Sequence, residues 1–282
     1  MLPPEAAQEC KRLGAEFLDL MTRACRASRT GVPAFLPLAI TTITFVGSFD
    51  RDVPVDLVRR AGAADPGLAE SVGLTLDAAV SSRKRKAPAA RQSFTNQVTF
   101  RPDGALRGKS GKLFHNGTVH VTGCTSAIDF LEFVHAIGVF LNAAVGHPVR
   151  LVQFGIIMVN AGTVVVDASR TPLRFNPKDL CAAAAEAGHV VDFEPERHPG
   201  VRIVLRHGGE RAATVYVFQT GNVSIIGART PARMAEAFEL VAVILRACAH
   251  VASSCSRCKT LSKKQLVFKH GYPLNSYLVC LT

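Results

Sequence analysis

Two stretches of this chain carry one pattern 104 residues apart, and that repetition limits the fold more than any other feature. "KLFHNGTVHVTGCTS" runs from Lys112 to Ser126, and "VYVFQTGNVSIIGART" from Val215 to Thr230. In register, Phe114 falls on Phe218, Gly117 on Gly221, Val119 on Val223 and Gly123 on Gly227. Each stretch is an alternating run, a tight turn with Gly, a second alternating run, then Gly and a helix start. That is a β-hairpin feeding a helix. The helices that follow, "SAIDFLEFVHAIGVFLNAAVG" and "TPARMAEAFELVAVILRAC", both place apolar residues on a helical period. Thr230 before Pro231 is a good N-cap with Pro at the first helical position. The chain is therefore a duplicated unit.

Alternation divides each hairpin into two faces. Leu113, Val119 and Val121, with Val215, Val217, Val223 and Ile225, form an apolar set that should face the helices. Lys112, Phe114, His120 and Thr122, with Tyr216, Phe218, Ser224 and Ile226, form the other set. That face is mixed, polar and aromatic. It would make a poor core and a plausible nucleic-acid surface; the competing explanation is that Phe114 and Phe218 pack in a satellite cluster.

Charge points the same way. The formal net charge is +11 and the isoelectric point about 9.6, a surplus that favours a polyanion partner, nucleic acid before membrane. No uninterrupted apolar run reaches 18 residues, so no membrane span is expected. Glu5, Glu9, Lys11 and Arg12 replace an apolar signal core, so secretion is not expected. The sequons at Asn116 and Asn222 sit in equivalent turns, where turn chemistry explains them without sugar. The eight cysteines are scattered and read as free thiols.

Along the chain, residues 1–36 hold an amphipathic helical extension. Residues 37–147 form the first repeat and 148–249 the second. Residues 250–282 belong to neither. The first strands, around Leu38 and Met158, lie 120 apart. The surplus over 104 points to an insertion in the first repeat, at about 63–92, where periodicity is lost and "SSRKRKAPAARQ" occurs. Cys255 and Cys258 form a CxxC, but no second pair completes a zinc pattern. "GALRGKS" at 104–110 is one residue short of a phosphate loop and leads into a strand, so a basic hairpin loop is the better reading. No HExxH, GxSxG or kinase signature is present. An enzyme, a cofactor and a bound metal are not expected.

In the second repeat, "FEPERHPGVRI", "VYVFQTGNVSIIGART" and "AEAFELVAVILRA" resemble the C-terminal repeat of the TATA-box-binding protein family, with its YEPE-x-FPG-L, IF-x-SGK and EAFE-x-IYPIL motifs. The first repeat, with "NQVTF" and "KLFHNGTVHVTGC", looks most like the divergent versions of large DNA viruses. The resemblance spans roughly residues 37–248. It implies an α+β saddle, in which two pseudo-symmetric repeats form one curved antiparallel sheet of ten strands with helices on the convex face. It also implies that the concave face lies on the DNA minor groove and wedges it with phenylalanines.

Carried over by position, Phe114 and Phe218 match one wedge of each pair. The second wedge falls on His198 in repeat two, and on Thr95 or the adjacent Phe94 in repeat one. The Asn of each first strand is replaced by Leu38 and Met158, with Ile40 and Asn160 two residues further on. Arg101, Lys112, His120, Thr122, Tyr216, Ser224 and Ile226 complete the expected DNA face. The Lys after each hairpin Gly has become Thr118 and Asn222. A face that has lost these donors should separate A·T from G·C less sharply, since the guanine amino group is the main distinguishing feature of the minor groove.

The resemblance implies a transcription-initiation factor that binds double-stranded promoter DNA and recruits a factor-IIB-like partner and RNA polymerase. It would work in a nucleus or viral factory, or be packaged in a virion. The alternative is an architectural, packaging or protein-interaction saddle with weak or non-specific DNA binding. The residues leave open whether it acts as a monomer or a self-associated dimer. The basic run Arg83–Lys86 lies in the insertion, where such charge is normally solvated. Deleting residues 80–90 should leave the thermal melt unchanged while lowering DNA affinity or nuclear import. Unchanged affinity and import would leave the run a plain solubility feature.

Overall fold

A computed structural model describes residues 4–29, 33–76, 96–248 and 253–254. Phe94, Thr95, the basic run and the CxxC lie outside the described residues. In chain order the elements are α1 (Pro4–Arg29), β1 (Ala34–Phe35), β2 (Ala39–Phe49), α2 (Val55–Ala64), α3 (Pro66–Glu70), β3 (Leu74–Leu76), β4 (Gln97–Pro102), β5 (Ser110–Phe114), β6 (Thr118–Cys124) and α4 (Ala127–Val145). There follow β7 (Leu151–Val166), β8 (Leu173–Arg174), α5 (Pro177–Glu186), β9 (Val190–Asp192), β10 (Gly200–His207), β11 (Glu210–Phe218), β12 (Asn222–Ala228), α6 (Pro231–Ala247) and β13 (Ser253–Ser254).

The class is α+β. The hydrogen-bonded order is β3-β4-β5-β6-β2-β7-β12-β11-β10-β9, and β1 pairs with β7 as an eleventh strand. The expected ten strands thus gain a short one, made by the two residues that precede the entry to β2. The chain divides into two compact units, residues 1–11 with 43–157 and residues 12–42 with 158–282. Strands β2 and β7 each run through both.

In the first unit, alternation builds the core. Val98, Phe100, Leu113, Val119 and Val121 are buried, as are Phe130, Phe133, Ile137, Phe140 and Leu141 of α4. Phe45 stacks on Phe130 with ring centroids 5.0 Å apart, and Phe100 meets Phe140 edge-on at 5.6 Å. Helix α4 is apolar and long enough to cross a membrane by composition, but its apolar stripe is spent on this core. It starts at Ser126, whose hydroxyl accepts from the Asp129 amide at 3.2 Å. It stops at Gly146 in the left-handed region, φ +75°. The Asp129 carboxylate accepts from the Thr125 amide at 2.7 Å and pairs with Lys109 at 3.6 Å. Residues 66–76, within the stretch where the sequence loses periodicity, form α3 and β3. Asp65 caps α3, and β3 pairs with β4 from Leu74 opposite Pro102.

The second unit repeats the plan. Val201, Ile203, Leu205, Val215, Val217, Val223 and Ile225 are buried with Met234, Phe238, Val241 and Leu245 of α6. Thr230 caps α6 by accepting from the Arg233 amide at 3.2 Å. The part of α1 that belongs to this unit buries Leu13, Phe17, Leu20 and Ala24. Arg23 of α1 grips Glu239 of α6 through two bonds of 2.9 and 2.6 Å. That hydrogen bonding raises the Arg23 pKa and lowers that of Glu239. The Arg246 guanidinium donates to the Ala27 carbonyl and lies 5.2 Å over the Phe35 ring.

The spacing of 104 holds residue for residue through the hairpin and helix. Strand β6 starts and ends 104 positions before β12, and α4 starts 104 before α6. Gly117 and Gly221 take φ of +72° and +80° in the turns; Gly123 and Gly227 take +88° and +77° where each ladder shifts register. Elsewhere the spacing changes. Gln97 pairs with Phe114 and Gly200 with Phe218, so β4 and β10 correspond at 103. Ser48 pairs with Thr118 and Val164 with Asn222, so β2 and β7 correspond at 116, not 120. Met158 therefore matches Thr42, and Leu38 is not its counterpart.

The turn glycines answer to two constraints. A Cβ on Gly221 would lie 2.5 Å from the Leu173 carbonyl oxygen, while one on Gly146 would meet nothing within 4 Å. Both positions are left-handed, which disfavours a side chain by roughly 1–2 kcal/mol. Gly146→Ala should lower unfolding free energy in urea by about that amount. Gly221→Ala, which adds a backbone collision, should cost at least twice as much; equal losses would mean that the turn can shift freely.

Candidate nucleic-acid interface

The side chains that alternate away from the helices make an uncovered face in each unit. In the first unit, Thr99 lies opposite Lys112, Lys112 opposite His120, and His120 opposite Val46. Lys112, Thr122 and Arg101 are exposed, and Phe114 and His120 are half-buried. Phe114 and His120 meet edge-on with ring centroids 5.1 Å apart. Burial, then the neighbouring Lys112 charge, hold the His120 imidazole below its ordinary pKa. Thr122 Oγ1 donates to the Ser110 carbonyl at 3.4 Å. A groove of about 700 Å³ opens beside Phe114, with Pro54, Val55, Asn96, Asn116 and His120 among its walls.

In the second unit the aromatic groups converge further. His198 is exposed in the segment before β10, with its ring 4.5 Å from Tyr216 and 5.5 Å from Phe218. Gly200 lets this happen. A Cβ there would lie 3.2 Å from ring atoms of both His198 and Phe218. The Gly200 amide also donates to His198 Nδ1 at 3.1 Å, which fixes the ring. Tyr216 and Phe218 are half-buried, held at their sides and open above. Tyr216 sits between Arg202 on β10 and Ser224 on β12. Ile226, half-buried, faces Thr214.

Two expected site residues are not on these faces. Leu38 precedes β2 and is only 3 % exposed; Ile40, in β2, is 4 % exposed. Both are core. The count that placed them assumed a first-strand spacing of 120, whereas pairing with the hairpin sets it at 116. Met158 and Asn160 are half-buried on β7. The Asn160 carbonyl oxygen accepts from the Gly227 amide at 2.8 Å. This residue thus holds the irregularity in β12, and the remaining polar group of its side chain is an NH2 donor.

Arg202 was not among the expected residues. Extending the alternation of the hairpin back through "VRIVLRH" puts Arg202, Val204 and Arg206 on the open side, so the signal was present in the sequence. No group of three or more His, Cys, Asp or Glu among the described residues could hold a metal. The Cys124 thiol is pushed up to about 12 by burial and by Asp129, which makes it inert as a nucleophile.

The division of faces makes a direct prediction. Phe238 is fully buried, so Phe238→Ala should cost about 3–5 kcal/mol. Phe114→Ala and Phe218→Ala should each cost well under half of that in urea unfolding. A loss from either as large as that of Phe238→Ala would place these rings in the core.

Residues 169–248 match the family model described as "Transcription factor TFIID (or TATA-binding protein, TBP)". Among solved structures, the chain is similar to the TBP of Methanococcus jannaschii at 13% identity and a TM-score of 0.49, over 74% of this chain and 98% of that one. It is also similar to the heterotetrameric sarcosine oxidase of Corynebacterium sp. U-96 at 15% identity and a TM-score of 0.28, over 80% of this chain and 95% of that one. No curated protein matches it in sequence. The matched residues span β8 to α6, and the first unit repeats their hairpin, bulge glycine and capped helix at constant spacing. Over residues 169–248, the chain is therefore similar to the TATA-binding protein family.

Proposed function

We propose that this protein is a transcription-initiation factor that binds duplex DNA through the open faces of its two units, in the minor groove. The observation that carries this reading is the set of aromatic rings left uncovered on those faces: Phe114 with His120, and His198 with Tyr216 and Phe218. Rings buried for stability would be packed from above. These are braced from the side, which leaves an edge or face for a base step. Inserting a side chain between base pairs costs stacking energy, which is offset by the contacts that bent DNA makes with flanking residues. Lys112 lies directly opposite His120 and Arg202 directly opposite Tyr216, and Arg101 and Arg206 add exposed positive charge further along β4 and β10. Recruitment of a factor-IIB-like partner and RNA polymerase belongs to the same proposal, as does action in a nucleus or viral factory. Its support is the match of residues 169–248 to the TATA-binding protein family model.

Selection from a pool of random duplexes tests the proposal. Affinity should fall steeply with salt, because neutralised phosphates release counterions. Preference for A·T should be modest, because Thr42 and Met158 provide no amide at the centre of the first strands. Phe114→Ala and Phe218→Ala should each reduce bending and affinity. A shallow salt slope with strong A·T selection would contradict the balance of forces proposed. Retention of full bending and affinity by both variants would exclude the rings as wedges and favour a saddle that serves protein partners.

A further inference from the structure

We infer that Tyr216 and Ser224 together make the open face of the second unit a reader of guanine, through the amino group that guanine presents in the minor groove. The inference rests on the DNA-binding reading above and gives it a specificity. In the minor groove, A·T and T·A pairs offer acceptors only, while a G·C pair adds the N2 amino donor. A protein surface made of donors and apolar groups leaves that amino group without a partner, which disfavours guanine. An acceptor reverses the preference.

Donors without acceptor capacity dominate the flanks of this face. Arg202, directly opposite Tyr216 on β10, has N–H donors only. Asn160 has its oxygen engaged by the Gly227 amide, which orients the NH2 as the group left for a ligand. Between them, Tyr216 and Ser224 are directly opposed on β11 and β12. Opposed residues of an antiparallel pair stand about 4.5–5.5 Å apart, so the two hydroxyls can address one base pair or adjacent ones. A hydroxyl both donates and accepts. Neither of these has a hydrogen-bond partner within the protein among the described residues. Tyr216 is also fixed in place, its ring 4.5 Å from that of His198. The corresponding row of the first unit is Thr99, Lys112 and His120, where a cation takes the place of the Tyr216 hydroxyl. The two units therefore differ in what they accept.

Inosine isolates the group in question, since it removes the N2 amino group and leaves the rest of the pair in place. The full chain is titrated with the duplex best enriched from a random pool, then with versions in which each guanine in turn is inosine. At one or two adjacent positions, inosine should weaken binding by roughly fivefold, the value of one net hydrogen bond. Tyr216→Phe keeps the ring against His198 and removes the hydroxyl, so that variant should bind guanine and inosine versions within twofold of each other. Ser224→Ala should show the same loss at the same or the neighbouring position. Thermal melting verifies the fold, and Tyr216→Phe alone suffices if Ser224→Ala melts early. Indifference of the unaltered protein to inosine at every position would overturn the inference while leaving DNA binding in place. An inosine effect that survives in both variants would overturn it as well. Failure to bind any duplex would instead defeat the DNA-binding reading, and this one with it.

Discussion

Everything in each unit depends on one ladder in which every second side chain is taken by a helix. Burying a sheet on one side satisfies the hydrophobic demand of the chain and makes no demand on the other side. In the first unit α4 takes Leu113, Val119 and Val121; in the second α6 takes Val215, Val217, Val223 and Ile225. The glycines at 117 and 221 fix the register of both hairpins, and a one-residue slip would exchange the faces. The glycines at 123 and 227 then let each second strand kink before its helix starts. These four positions protect the distinction between core and open face.

Much of this was legible because its markers are local. Turn glycines, an N-cap three residues before the amide it satisfies, and strict alternation can each be recognised within a dozen residues. They located both hairpins, both long helices and the open-face set from Lys112 to Ile226. The first strands carry no such markers. Their spacing is set by pairing with hairpin strands about 60–70 positions away in sequence, Ser48 with Thr118 and Val164 with Asn222. Counting from an apolar run misplaced them, and put the buried Leu38 and Ile40 on the open face. Convergence of His198 with Tyr216 and Phe218 was illegible for a similar reason. It depends on the missing side chain at Gly200, whose effect appears only once β10 and β11 are paired.

The two open faces share a plan and differ in chemistry. The row through the second unit is Arg202, Tyr216, Ser224 and Gly162; through the first it is Thr99, Lys112, His120 and Val46. Cations stand at one edge of the first row's centre and at the outer strand of the second. A duplicated unit begins with equal faces, and substitution at core positions would be penalised by packing. Open-face positions are free of that penalty, so differences collect there. The two units thus match in their cores and differ on their open faces.

The half-buried rings show how such a surface can be apolar without losing the fold. Phe218 and Tyr216 rest sideways on His198, and Phe114 rests on His120, so each ring is partly removed from water by its neighbours and not by a covering layer. Lateral bracing fixes their direction, which spares a ligand the entropy of ordering them. It also leaves one side of each ring with unsatisfied apolar area. Covering that area is favourable, by about 25 cal/mol per Å². Stability in these units comes from the helix-facing set, which leaves the open face free of any role in holding the fold. The separation of these two faces is what allows the open one's chemistry to change, from Lys112 in one unit to Tyr216 in the other, without moving the strands that present it.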